Sequence, residues 1–465
     1  MRPDDKLTQN LDWPLFASYL LLVTMGLMTV YSTAYNPEHP NFFDFSQKYG
    51  KQVMWVGVSL FLGLLVFLID SSIYRKFAVP IYLFTLFLLV VVLFMPAING
   101  AHAWLGFGSF GIQPAEFAKI GTALLLSSYV SNVNPNAQSV KTVLLSNAII
   151  LVPMTLVILQ PDAGTLVVFT SFLFVLYREG MSYDPIILKI TNLIPGVRFK
   201  QTWIGTHFIP ILFYVVFLCV ITLLVSNNTF HLFFLPSIPI SGIVGVIGVL
   251  VIIGVLVYFL LARMASKRER KQALIVVIIA LTLSSIMALS VDFLFQGMAP
   301  HQKDRIELVL GLNEDQDGAD YNRNRAMAAV GSGGFTGKGY REASLANVRS
   351  NHVPESETDF IFCPFAEEWG FAGSIFLVSV YIFMLLRIIV IAERQRSRYY
   401  RIYAYAVGMI LFYHFAINIG MNIGFAPVIG IPLPFFSYGG SSMMSFSILL
   451  FILLKLDSQR RDVLY

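Results

Sequence analysis

The chain has 465 residues, 56% of them hydrophobic and 13% charged, with a mean hydropathy of +0.71. Soluble domains carry roughly 25% charged residues, so a water-soluble globule of this length could not cover its surface. Cytosolic enzymes, disordered scaffolds and disulfide-framed secreted domains are excluded together. The formal charge of +5, from 32 basic and 27 acidic side chains, matters less than where the basic residues lie. Two cysteines, Cys219 and Cys363, give no disulfide framework.

Apolar windows of about 19 residues mark about twelve helical spans. They fall near 13–33, 52–69, 77–96, 114–131, 143–160, 164–178, 207–226, 239–263, 272–298, 365–387, 402–423 and 441–457. Such runs are too long for barrel strands, so the expected fold is an all-α polytopic membrane protein. The first run is too long for a signal-peptide core and has no small-residue cleavage site after it, so it reads as a retained span.

Short loops give the orientation. Arg75 and Lys76, Lys141, Arg178, Lys189, Arg198, Lys200 and the run Lys267-Arg268-Glu269-Arg270-Lys271 fall on one side. Arg394, Arg396, Arg398, Arg401, Arg460 and Arg461 join them. The opposite loops 97–113, 161–163, 227–238 and 424–440 contain no Lys or Arg. The positive-inside rule then expects both termini in the cytoplasm.

Residues 299–364 form the one long polar stretch, expected on the outer side before the tenth span. Long loops in compact proteins are functional or disordered. This one carries the cluster Gly331-Ser332-Gly333-Gly334-Phe335-Thr336-Gly337-Lys338-Gly339 and ends in a dense polar and aromatic motif. The cluster is no phosphate-binding loop, since Ser332 and Gly339 stand where that motif needs Gly and Ser or Thr. Asn313 to Gly318 begins like a calcium loop, but Asn324 occupies the position of the bidentate Glu. No His/Cys set suggests zinc.

Ionisable groups at four other places converge on the same outer side. Glu116 and Lys119, in Gln113-Pro114-Ala115-Glu116-Phe117-Ala118-Lys119, share one helix face, and intramembrane charge is functional by default. An intrahelical ion pair that lowers the cost of burial is the plainer alternative. Asp162, in Gln160-Pro161-Asp162-Ala163-Gly164-Thr165, either caps the next helix or serves a site. The same two readings hold for Asp359 in Thr358-Asp359-Phe360-Ile361-Phe362, which precedes Glu367-Glu368-Trp369-Gly370. Pro432 to Ser442 precedes the last span, where Gly439-Gly440-Ser441-Ser442 suits close helix packing. His414 and Asn418 suit interhelical hydrogen bonds.

These motifs, with His301-Gln302-Lys303-Asp304-Arg305-Ile306 and the glycine cluster, together resemble the SEDS (RodA/FtsW/SpoVE) family from about residue 100 to 445. They are closest to its RodA branch. The resemblance implies a peptidoglycan glycosyltransferase that polymerises lipid II at the outer face of the cytoplasmic membrane during cell elongation. It also implies a class B penicillin-binding protein as the crosslinking partner. The family has about ten spans; the two extra ones are expected as a hairpin inserted within 181–271. Asn324-Arg325, Arg341-Glu342-Ala343 and Pro364 depart from the family's usual residues.

The chemistry implied is attack of a sugar hydroxyl on an anomeric carbon that carries a polyprenyl pyrophosphate. A base must take the proton, and cations must stabilise the leaving group. Asp359 matches the family's essential Asp and is the expected base, giving inversion. Lys119, Arg305 and Lys338 are the expected pyrophosphate ligands, with Glu116 holding Lys119. Asp162 and Ser437 are expected at the substrate. Trp104 either stacks on sugar or belongs to the interfacial aromatic belt. No nucleic acid is expected as a partner and no cofactor is demanded. A divalent cation is compatible with the pyrophosphate chemistry, though no ligand set calls for one. The competing readings are a lipid II flippase, which needs polar groups through the membrane depth, and a scaffold, which needs no buried charge.

Overall fold

A computed structural model describes residues 11–96, 102–106, 111–135, 138–191, 203–226, 229–232, 235–264, 267–297, 303, 319–348 and 352–460. The chain divides into two compact units, residues 1–206 with 321–465, and residues 207–320.

In the first unit, α1 (Trp13–Ala34) starts at Asp12, whose carboxylate accepts from Leu15 N at 3.0 Å. This capping satisfies one of the otherwise unpaired N–H groups of the first turn. Next come α2 (Lys48–Leu68), α3 (Ser71–Lys76), α4 (Ala78–Val92) and α5 (Pro114–Ser131), which opens on a proline suited to a helix start. Ser139 caps α6 (Val140–Ile158). The expected sixth span runs from α7 (Ala163–Phe169) through Thr170, whose φ of −63° and ψ of −21° are helical, into α8 (Ser171–Arg178). Short α9 (Asp184–Thr191) and α10 (Trp203–Thr206) follow.

The second unit holds α11 (Phe208–Ser226), α12 (Gly242–Met264) and α13 (Lys267–Gln296). They pack through Leu218, Val246, Leu250 and Ala288, with Tyr214 and Ser284 hydroxyls 2.8 Å apart. Between α11 and α12, where the sequence suggests a bare loop, β1 (Thr229–Leu232) pairs antiparallel with β2 (Leu235–Ser241).

The chain then re-enters the first unit through α14 (Ala319–Ser332), so part of the long polar stretch is helical. The last helices are α15 (Phe362–Glu393), α16 (Arg398–Asn422) and α17 (Gly440–Ser458). Gly370 interrupts α15 with φ 64° and ψ −163°. A helix starts at each of the twelve expected spans, and nine of the described helices are long and apolar enough to cross a membrane. Helix α17 is the most enclosed of these and packs against α2, α5 and α16. Its serines explain its low apolarity: Ser445 and Ser447 sit on this buried helix and bond to neighbouring helices.

The two ends of the first unit differ in charge. At the N-terminus of α1 and the C-termini of α15 and α17, Asp12 accepts from Arg387 at 2.8 Å and Arg394 at 2.7 Å, and Arg394 also bonds Asp457. The N-termini of α2, α5, α7, α15 and α17 gather at the other end, and there the cavity lies.

Candidate active site

A cavity of about 710 Å³ opens where five separated stretches of the first unit meet. They are the start of α2 (Lys48), the approach to α5 (Trp104 and Gln113), and the α6–α7 turn (Asp162). The approach to α15 (Glu355 to Asp359) and the segment between α16 and α17 (Val428 to Ser442) complete it.

Asp359 does not cap α15, since that helix starts after Ile361 with no side-chain cap. Its main chain is pinned from several sides instead. Its carbonyl accepts from Asn418 Nδ2 at 2.8 Å and Asn422 Nδ2 at 3.3 Å. Asn418 Nδ2 also bonds the Ile431 carbonyl at 2.7 Å, which ties the Asp359 stretch to the facing wall. Ser437 Oγ donates to the Thr358 carbonyl at 2.7 Å and accepts from Leu433 N at 2.8 Å. Tyr438 N donates to the Glu357 carbonyl at 2.9 Å. With so many bonds on the backbone, the carboxyl is left to face the cavity. A Cβ at Gly430, where φ is +68°, would lie 3.2 Å from Asp359 Oδ2, so glycine keeps that side open.

Burial pushes the Asp359 carboxyl up to about 7, with the charges of Glu355 and Asp162 and a hydrogen bond to Glu355 adding to the effect. Both causes disfavour the ionised form. A carboxyl so placed is half ionised near neutral pH, the condition that suits a general base.

Asp162 caps α7 and lines the cavity. Its carboxylate accepts from Thr165 N at 2.9 Å as the α7 cap, and from Gln113 Nε2 at 2.8 Å across the cavity edge. Trp104 lines the cavity with its ring against Gly111. Ser437 stands behind the wall, not on it: its hydroxyl is spent on backbone partners.

Lys119 differs from expectation. It is fully buried, 2.9 Å from Glu116 Oε2 and 2.8 Å from His414 Nε2, with the Phe446 ring 4.9 Å away. Ser445 Oγ donates to Glu116 at 3.1 Å, and His414 Nδ1 lies 3.1 Å from the Pro432 carbonyl. Because Nε2 faces an ammonium, it accepts and Nδ1–H donates. The spacing of Glu116 and Lys119 correctly predicts a shared face, but that face points into the bundle, so neither lines the cavity. Lys338 is likewise engaged elsewhere, 2.6 Å from Glu367 Oε1 and 2.9 Å from Ser344 Oγ. The glycine cluster there packs on the start of α15. Gly337, at φ +82°, lies so close that a Cβ would collide with the Glu368 carbonyl. Arg305 lies outside the described residues.

Sequence reasoning missed Lys48. It forms an ion pair with buried Glu357, lines the cavity, and is 49% exposed. The apolar window places the second span at 52, one turn beyond the real start of α2, and so leaves Lys48 in a loop. A lysine within one helical turn of the apolar window was the available signal. Among the described residues no group of three or more His, Cys, Asp or Glu is placed to hold a metal ion.

The cell cycle protein family of FtsW, RodA and SpoVE matches residues 12–202 and 255–462. The chain belongs to this family. A curated relative, peptidoglycan glycosyltransferase RodA of Treponema pallidum (strain Nichols), is 30% identical over 97% of this chain and 98% of its own length. Peptidoglycan glycosyltransferase MrdB of Escherichia coli (strain K12) is 27% identical over 85% of this chain and 81% of its own. Among solved structures, one described as coordinating polymerization and crosslinking in a peptidoglycan synthase complex aligns with a TM-score of 0.63 at 21% identity. It covers 97% of this chain and 98% of that one. The rod shape determining protein RodA of Thermus thermophilus aligns with a TM-score of 0.54, also at 21% identity over 97% and 98%. The multi-pass helical fold expected from the sequence is the family's fold.

Proposed function

We propose that this family member is a peptidoglycan glycosyltransferase that polymerises lipid II during cell elongation, with Asp359 as general base. The observation that carries the site is a carboxyl pushed up to about 7 in a cavity of about 710 Å³, on a backbone fixed by Asn418, Asn422 and the Thr358–Ser437 bond. A sugar hydroxyl of one substrate attacks the anomeric carbon of the other. The new C–O bond forms as the bond to the pyrophosphate breaks, the electron pair leaves on phosphate oxygen, and Asp359 receives the proton. A single direct displacement inverts the anomeric carbon. Asp162 and Trp104, on the cavity wall, contact the substrate.

The cavity lies at the end opposite the arginine-rich cluster, which by the positive-inside rule supports a site outside the cytoplasmic membrane and both termini inside. Growing strands there need crosslinking, and a class B penicillin-binding protein is the partner that supplies it. Residues 203–254, which the family does not match, lie inside the 181–271 stretch read as an inserted hairpin. None of the described cavity-lining residues comes from it. Transport is not favoured, because the charges below the cavity, Glu116 and Lys119, are enclosed and paired, and line no path.

The test is polymerisation of lipid II by purified protein with its partner. Asp359→Asn is expected to lower the rate by about 10²–10⁴-fold, the usual worth of a positioned base, with partner binding intact. Polymerisation by the variant at the parent rate removes the assignment.

A further inference from the structure

The chemistry above requires a cation at the leaving group, and the cations expected there are not at the cavity. Lys119 is enclosed by Glu116, His414 and the Phe446 ring. Lys338 is held by Glu367 and Ser344. Among the described residues lining the cavity, the one Lys or Arg is Lys48.

We propose that Lys48, oriented by Glu357, binds the pyrophosphate of the lipid-linked donor and stabilises it as it leaves. The proposal rests on the glycosyltransferase reading and names the group that reading lacks. Three features support it. An ammonium has three N–H donors; the ion pair with Glu357 occupies one, and the half-exposed head group keeps others for a ligand. Glu357 is buried and its main-chain carbonyl is bonded by Tyr438 N, so the carboxylate that holds Lys48 is itself fixed to the cavity wall. The N-terminus of α17 opens on the same cavity through Gly440, Ser441 and Ser442, with no acidic residue in its first turn to repel an anion.

Asp359 sits among acids, which keep its proton affinity high, and Lys48 contributes positive charge from a different element. Glu357 acts through Lys48 and is a positioning residue.

The test measures binding of a polyprenyl pyrophosphate, and of the same polyprenol without phosphate, to the full chain in detergent. Lys48→Met is expected to weaken pyrophosphate binding about ten- to a hundredfold, the worth of a charge-assisted contact, with polyprenol binding unchanged as a check on folding. Lys48→Arg keeps binding near the parent value. Glu357→Gln gives an intermediate loss, and raising the salt concentration narrows its difference from the parent. Pyrophosphate binding by Lys48→Met within twofold of the parent overturns the proposal, as does equal loss of polyprenol and pyrophosphate binding in both Lys48 variants. Because binding is read without turnover, a parent chain that binds through Lys48 yet makes no polymer overturns the polymerase reading alone.

Discussion

Asp359 gains its proton affinity from its surroundings: burial removes water from the charged form, and Glu355 and Asp162 oppose a further negative charge. A carboxyl raised to about 7 must lose its proton before it can act as the proposed base. The rate of polymerisation is therefore expected to fall as pH drops below about 7, roughly tenfold per pH unit well below it. Replacing a neighbouring acid, as in Glu355→Gln, removes part of the repulsion, lowers the proton affinity of Asp359 and moves the acid limb to lower pH. Rates measured from pH 5 to 9 check this; a limb that stays in place in Glu355→Gln detaches the profile from Asp359. Asp359 and Asp162 were legible as candidates because polar groups at span boundaries stand out against apolar runs. Lys48 was not, because a hydropathy window cannot see that a helix extends one polar turn beyond its apolar part.

Helix α5 shows what spacing can and cannot reveal. Residues three apart share a face by helix geometry alone, so the Glu116–Lys119 pair was readable. Which way the face points depends on α16 and α17, whose His414 and Ser445 complete the network. Those partners lie almost 300 or more residues away in sequence, and no local pattern records such a meeting. The network joins three helices, and through His414 and the Pro432 carbonyl it reaches the cavity wall. Its role is then to hold the wall from beneath. Lys119→Met leaves the Glu116 charge buried without its cation and is expected to cost about 3–5 kcal/mol. Adding Glu116→Gln to Lys119→Met removes the stranded charge and recovers part of that loss. Thermal unfolding of the detergent-solubilised variants measures both; equal destabilisation in the single and double variants shows that charge burial is not the cause.

At the scale of the molecule, the multi-pass helical fold was legible, since the long apolar helices fall on expected runs, while the break within α15 was not. The Gly370 interruption depends on a contact made by another segment: Gly370 is packed against Gly337. The β1–β2 hairpin was missed because its run was read only as a gap between apolar windows. What organises the first unit is the contrast between its ends. Arginines bonded to Asp12 and Asp457 close one end, and among the described residues acids with a single lysine line the cavity at the other. Moving a cluster of arginines through a bilayer is costly, whereas the short loops 97–113, 161–163 and 424–440 at the other end carry no Lys or Arg to retain them in the cytoplasm. The acidic end should therefore face outward. Exposed Glu342, in the loop after the glycine cluster, and exposed Arg396, between α15 and α16, report on the two ends. In a background with Cys219 replaced, a membrane-impermeant maleimide is expected to label Glu342→Cys in intact cells, and Arg396→Cys only after permeabilisation. Buried Cys363 should stay unlabelled in the folded protein. The reverse pattern would put the cavity in the cytosol, where a polymerase that builds an external wall could not use it.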